Sequence, residues 1–153
     1  MACEFLYNAE QSVSLNAPIL FRSSIPCNRG YVYHENETGN FILRGITGNQ
    51  CNRFAMYQVT FNGNIAVPTG GTVGPIAVAL TVNGEPRLVS RAIFTPAAVD
   101  QFGNVTSTAI IKVPKGCCFS LSVESVPATE DPAVVPAPVI TVQNANLTVS
   151  RIA

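Results

Sequence analysis

The sequence predicts an all-β domain, a sandwich or barrel of antiparallel strands. Three observations carry that prediction. Apolar and polar residues alternate in several separated runs, as in strands with one buried face. Turn signals recur between the runs, and no segment offers helical periodicity of useful length. The chain has 153 residues, enough for one domain around a single sizeable core.

The clearest strand signal is Tyr57–Val67, where Tyr57, Val59, Phe61, Ile65 and Val67 alternate with Gln58, Thr60, Asn62 and Asn64. Pro68–Pro75 holds three glycines between two prolines and ends that strand. Ile76–Val82 follows, with Ile76, Val78, Leu80 and Val82 on one face. The adjoining Asn83-Gly84 suits a type I′ hairpin turn, because both central residues need positive φ. Arg87–Phe94 is then the return strand, and Thr95–Asn104 is a loop.

Upstream, residues 1–11 read as an N-terminal arm and residues 12–153 as the domain proper. Val13 and Leu15 alternate with serines, and Pro18–Phe21 continues as strand-like sequence. Ser23–Gly30 and Ile46–Arg53 read as loops around the short strands Tyr31–His34 and Phe41–Leu43. Downstream, Val105–Val113 alternates, Pro114-Lys115-Gly116 is a tight connection, and Phe119–Val123 alternates again. Val126–Pro138 is a Pro-rich exposed loop with an acidic Glu130-Asp131. Val139–Val142 is a short extended piece, and Ala145–Ile152 closes the chain.

Hydrophobic residues make up 47% of the chain and charged residues 12%, with nine basic side chains against nine acidic ones. A neutral chain lacks the basic footprint that nucleic acid or an anionic membrane demands, so both fall away as partners. Low net charge favours self-association. The first ten residues have no basic region followed by an apolar one, which predicts no secretory signal. The apolar run Ala133–Val142 is too short to span a bilayer. The expectation is a protein soluble as synthesised, reaching an exterior by lysis or by assembly into a particle.

The five cysteines, Cys3, Cys27, Cys51, Cys117 and Cys118, contain no C-x-x-C pair. Most read as buried small hydrophobes, one of the vicinal Cys117 and Cys118 pointing inward and the other outward. A Cys27–Cys51 bridge, or links between subunits, are the alternatives. His34 is the only histidine, and no G-x-S-x-G elbow accompanies it, so no catalytic triad is expected. Glu35 and Glu37 could share a face for calcium or acid–base work, but with Asn36, Thr38 and Asn40 they read as a solvated turn. Asn36-Glu37-Thr38, Asn104-Val105-Thr106 and Asn146-Leu147-Thr148 match the glycosylation pattern by chance on this reading. Thr69-Gly70-Gly71-Thr72 lacks the Gly-Lys-Ser/Thr of a phosphate loop. No catalytic, cofactor-binding or metal-binding residue is assigned, and the chain is not read as an enzyme.

Several stretches together resemble the jelly-roll domains of the tumour-necrosis-factor and complement-head superfamily. They are Gly39-Asn40-Phe41, Tyr57-Gln58-Val59-Thr60-Phe61, Ala79–Pro86, Ile111–Gly116 and Ala145–Ile152. Within it the sequence is most similar to bacterial and phage members such as the C-terminal domain of collagen-like spore-surface glycoproteins. It departs from those in having no Gly-X-Y run and no family cysteine signature.

The resemblance implies a two-sheet antiparallel jelly-roll sandwich assembling as a homotrimer. It places the Tyr57, Val105 and terminal strands in one sheet, with Val59, Phe61, Ile111, Leu147 and Val149 toward the core. The opposite face, Gln58, Thr60, Thr108, Ile110, Thr148, Ser150 and Ile152, would then meet a neighbouring subunit. The function expected is structural display or attachment on a phage virion, as decoration or fibre, or on a spore or cell surface. Other surface or capsid proteins would be partners. The alternative is a carbohydrate- or receptor-binding module using the loops around residues 27–40 and 95–104. Its candidate ligand-binding residues are Tyr31, Tyr33, His34, Glu35 and Glu37, with glycans as partners.

Overall fold

The computed structural model describes residues 2–25, 30–46, 51 and 53–152. Its strands are β1 (Ala2–Tyr7), β2 (Gln11–Ser14), β3 (Arg22–Ile25), β4 (Val32–His34), β5 (Phe41–Arg44) and β6 (Phe54–Ala66). They continue with β7 (Ile76–Val82), β8 (Glu85–Pro86), β9 (Ala92–Phe94), β10 (Gly103–Pro114), β11 (Cys118–Val126) and β12 (Val139–Arg151). The first sheet runs β10-β6-β12-β1-β3, with β2 beside the first half of β12; the second runs β4-β5-β11-β7-β8, with β9 also beside β7. All pairings between these strands are antiparallel. This is the two-sheet antiparallel jelly-roll sandwich.

The alternation in β6, β10 and β12 decides which residues enter the core. Val59, Phe61, Ile111, Leu147 and Val149 are all buried between the sheets. Four phenylalanines tie the layers together: Phe5 and Phe61 from the first sheet, Phe41 from the second, and Phe21 from the segment that crosses between them. Ring centroids lie 4.7 Å apart for Phe5–Phe41, 5.6 Å for Phe21–Phe41 and 6.4 Å for Phe21–Phe61, all edge to face. That geometry sets the positive edge of one ring against the negative face of the next.

The crossing segment leaves β2 and runs along β11, where the Ile19 N–H donates to the Val123 carbonyl at 2.7 Å. It then reaches the β4–β5 turn through the Phe21 N–H and the Thr38 carbonyl, 3.1 Å apart. Gly39 lets it pass closely, since a Cβ there would lie 2.5 Å from Pro18 Cβ. So the strand expected at Pro18–Phe21 is a crossover.

Other expectations need correction. Residues 2–7 are not an arm: β1 pairs in full with β12, from Ala2 opposite Ser150 to Tyr7 opposite Ala145. Cys3 and Phe5 point into the core, which makes the strand's burial reason enough for its order. Residues 23–25, expected as the start of a loop, belong to β3, which pairs with β1 as an edge strand. The return strand 87–94 is interrupted, because Leu88–Ser90 forms a single 3-10 turn between β8 and β9. The two closing pieces are one strand, β12, whose register to β6 shifts between Gln143 and Asn146, where Asn144 takes φ +54°. Asparagine tolerates that left-handed residue, so the strand bulges without ending. The Asn83-Gly84 turn matches expectation, with φ values of +51° and +80°.

Cys51, Cys117 and Cys118 are exposed free thiols, and Cys3 is disulfide-bonded. A Cys27–Cys51 bridge is therefore absent, and Cys27 itself lies outside the described residues. Cys117 and Cys118 are both exposed: Cys117 closes the Pro114–Cys117 turn and Cys118 is the first residue of β11, where the strict alternation has not yet begun.

Candidate functional site

The outer face of the first sheet is where the predicted contact residues meet. Register places Thr108, Thr60 and Thr148 in one row across β10, β6 and β12, and Ile110, Gln58 and Ser150 in the next. The Ile152 N–H donates to the Met56 carbonyl at 2.8 Å, setting Ile152 at the end of the same patch. All seven residues are thus contiguous. Ile110 remains 44% exposed and Ile152 50%. Alternation explains the arrangement: the partners of these positions along each strand fill the core, leaving one face for solvent or another protein.

The sequence reading missed the two ends of this patch. At one end lie Phe54, 45% exposed, and Met56, with the Lys112 ammonium 5.6 Å from the Phe54 ring centroid. β6 begins three residues before Tyr57, and continuing its period-two pattern backwards would have found both. At the other end side chains form a ladder. The Asn104 amide donates to the Asn62 and Asn64 carbonyl oxygens at 2.9 and 3.1 Å, and Thr106 donates to Asn62 at 3.2 Å. Thr60 and Thr108 hydroxyls lie 3.2 Å apart, and Thr148 donates to Asn146 Oδ1 at 3.3 Å. Cross-strand hydroxyl and amide pairs of this kind hold a flat, ordered surface. Its charges, among the described residues, include Lys112 near Phe54, Glu4 on β1 and, at the β3 edge opposite Leu6, Arg22.

Of the five loop residues, His34 turns into the core and the other four are held in different ways. Tyr31 lies under the Arg151 guanidinium, 4.0 Å from its ring centroid, at one end of the sandwich. Tyr33 points outward from β4. His34 turns inward, stacked on Phe41 at 4.3 Å and edge-on to Phe5 at 5.0 Å, with Nε2 2.9 Å from the Thr38 carbonyl. Burial pushes its pKa below the ordinary histidine value, against smaller upward pulls from the Thr38 carbonyl and Glu35. Glu37 pairs with Arg22 at 2.6 Å on the exposed surface, and Glu35 is exposed in the turn. The 95–104 loop is tied elsewhere, its Asp100 N–H donating to the Val67 carbonyl at 2.8 Å and Thr69 donating to the Asp100 carboxylate.

Tyr57 closes the core end, its hydroxyl donating to the Arg44 carbonyl with the Tyr31 carbonyl nearby; burial raises its pKa. Among the described residues, no group of three or more His, Cys, Asp or Glu side chains is placed to hold a metal ion, and no helix is long and apolar enough to cross a membrane.

No family model matches the sequence, and no curated protein matches it. Solved structures do match. The globular domain of zebrafish complement 1qA protein is 13% identical, with a TM-score of 0.60 over 99% of this chain and 97% of that one. The Eiger tumour necrosis factor of S. frugiperda is 14% identical, with a TM-score of 0.65 over 100% and 92%. Murine APRIL, solved at pH 5.0, is 10% identical, with a TM-score of 0.62 over 99% and 98%. At these identities the likeness is one of architecture: the chain has the jelly-roll fold of tumour-necrosis-factor and complement-head domains.

Proposed function

We propose that the chain is a non-enzymatic structural and attachment module that closes into a homotrimer through the outer face of its first sheet. The observation that supports this is the contiguity of the seven residues Gln58, Thr60, Thr108, Ile110, Thr148, Ser150 and Ile152. They join an exposed apolar end of Phe54 and Met56 to an ordered amide–hydroxyl end that carries almost no charge. Depletion of charge around an apolar centre is what separates an interface from ordinary surface. A threefold ring is heterologous, so this face must meet a different patch on the next copy. Val89 and Ile93, both exposed on the sandwich edge beside β10, supply one; the Ser107 hydroxyl donating to the Ser90 carbonyl at 2.7 Å fixes that edge in place.

The setting we infer, from the resemblance to collagen-like spore-surface and phage proteins, is display on a virion or on a spore or cell surface. Labelling of intact particles by an antibody against this chain supports that setting; labelling only after lysis refutes it. The oligomer is tested by native mass in solution with Ile110 and Ile152 replaced by serine: trimer for the parent, monomer for the variant. The alternative, glycan recognition through Tyr31 and Tyr33, is tested on glycan arrays: binding that is lost when either tyrosine is replaced by alanine would favour it, and no such binding would leave the structural reading.

A further inference from the structure

The neutral total hides a separation of charge between the two ends of the sandwich. At the end where β6 and β11 begin, Arg44, Arg53, Lys112 and Lys115 are exposed, and Arg151 is half-buried beside them. Glu85 sits on the β7–β8 hairpin, opposite Val82. An exposed element here is the turn Pro114–Cys118. It is held by the Cys117 N–H donating to the Pro114 carbonyl at 3.1 Å and by the Lys115 N–H donating to the Arg53 carbonyl at 2.9 Å. Lys115, Gly116, Cys117 and Cys118 are all exposed.

The opposite end is apolar and acidic. A cleft of about 710 Å³ opens between Gly70–Pro75 and Ala133–Pro138, with Val73 and Val135 exposed at its mouth. A second cleft of about 450 Å³ shares Val134 and Pro136 with the first and is lined also by Glu130, Asp131 and Arg91. Arg91 is engaged by the loop itself, its Nη1 donating to the Pro127 carbonyl at 3.0 Å. Asp131 caps its own turn through Oδ1 and the Ala133 N–H at 2.9 Å. Asp100 adds a further carboxylate on the adjoining loop.

We propose that copies of this protein stack end to end, the Pro114–Cys118 turn of one seated in the apolar cleft of the next. Arg53, whose carbonyl accepts from the Lys115 N–H, and Lys115 would then face Glu130 and Asp131. Charge complementarity selects the occupant: a compact turn carrying a lysine matches a valine- and proline-lined cleft whose neighbouring cleft supplies the carboxylates of Glu130 and Asp131. Because the two patches differ and lie at opposite ends, the contact does not close on itself and extends as a column. It goes beyond the trimer reading, and either a monomer or a ring could stack this way.

The test uses charge reversal under reducing conditions, so that Cys51, Cys117 and Cys118 cannot link copies covalently. One variant carries Glu130→Lys and Asp131→Lys, the other Arg53→Glu and Lys115→Glu. In sedimentation velocity at low salt the parent forms species larger than its basic unit as concentration rises. Each variant alone needs about tenfold more protein or fails to associate, and an equal mixture of the two recovers the parent's behaviour. Added salt weakens the parent's association, the Debye length being about 10 Å at 0.1 M ionic strength. The basic unit itself keeps its mass in both variants, which separates this contact from the sheet-face contact. A parent that never exceeds its basic unit, variants that associate as well as the parent, or a mixture that recovers nothing would each overturn the proposal.

Discussion

Replacing Ile110 and Ile152 with serine probes the sheet-face contact while leaving the core alone. Both side chains are about half exposed in the protomer, at 44% and 50%, so neither supports the sandwich with its full surface. Complete burial of such a side chain contributes about 1.5–3 kcal/mol, so covering the exposed half adds about 1 kcal/mol for each. Two such residues in each copy of a threefold ring make about 6 kcal/mol, or roughly four decades in the trimer dissociation constant. Sedimentation equilibrium over a wide concentration range reads that shift directly. Urea unfolding of the dilute monomer serves as the control, and its midpoint should move little. A double variant with the parent's mass profile would refute the assignment of this face. So would a loss of trimer matched by a collapse of monomer stability.

Further predictions rest on single positions. His34 has a folded pKa below its unfolded value, so the unfolded chain binds more protons as pH drops below about 6.5. The stability that depends on its neutral form is therefore complete above that pH and falls as pH descends through the folded pKa. His34→Phe, which preserves the stack on Phe41, should flatten this part of the stability–pH curve; an unchanged slope contradicts the placement. Gly84→Ala meets no neighbouring atom but forces a Cβ into φ +80°, and should cost about 1–2 kcal/mol in denaturant unfolding. Gly45→Ala sets a Cβ 2.1 Å from the Pro114 carbonyl oxygen, a backbone atom that cannot swing aside, and should cost about 1–3 kcal/mol. Tolerance at both glycines would mean that the turn and the β5 exit are differently built.

The two central strands were legible because each alternates over many residues, and pairing β6 with β10 needs no more than that pattern. The seven face residues followed from the same alternation once strand order came from the superfamily resemblance. What stayed hidden was decided by tertiary context. Ala2–Tyr7 carries an outward Leu6 that blurs its period, and only pairing with β12 makes it a strand. Arg22–Ile25 is a short edge whose order comes from β1. Pro86 has no N–H to continue a ladder, and the 3-10 turn that follows splits the return strand. Asn144 looked like a break because a left-handed residue inside a strand leaves the same mark as a turn. The charge separation was invisible for a different reason: Arg44, Arg53 and Lys115 are distant in sequence and meet only through the closing loops.

Native mass tests the central claim most directly. Light scattering coupled to size exclusion, at high salt and under reducing conditions to suppress stacking and cross-linking, should give three times 16.2 kDa. A particle of 16.2 kDa at all concentrations would contradict the trimer and the role assigned to the sheet face.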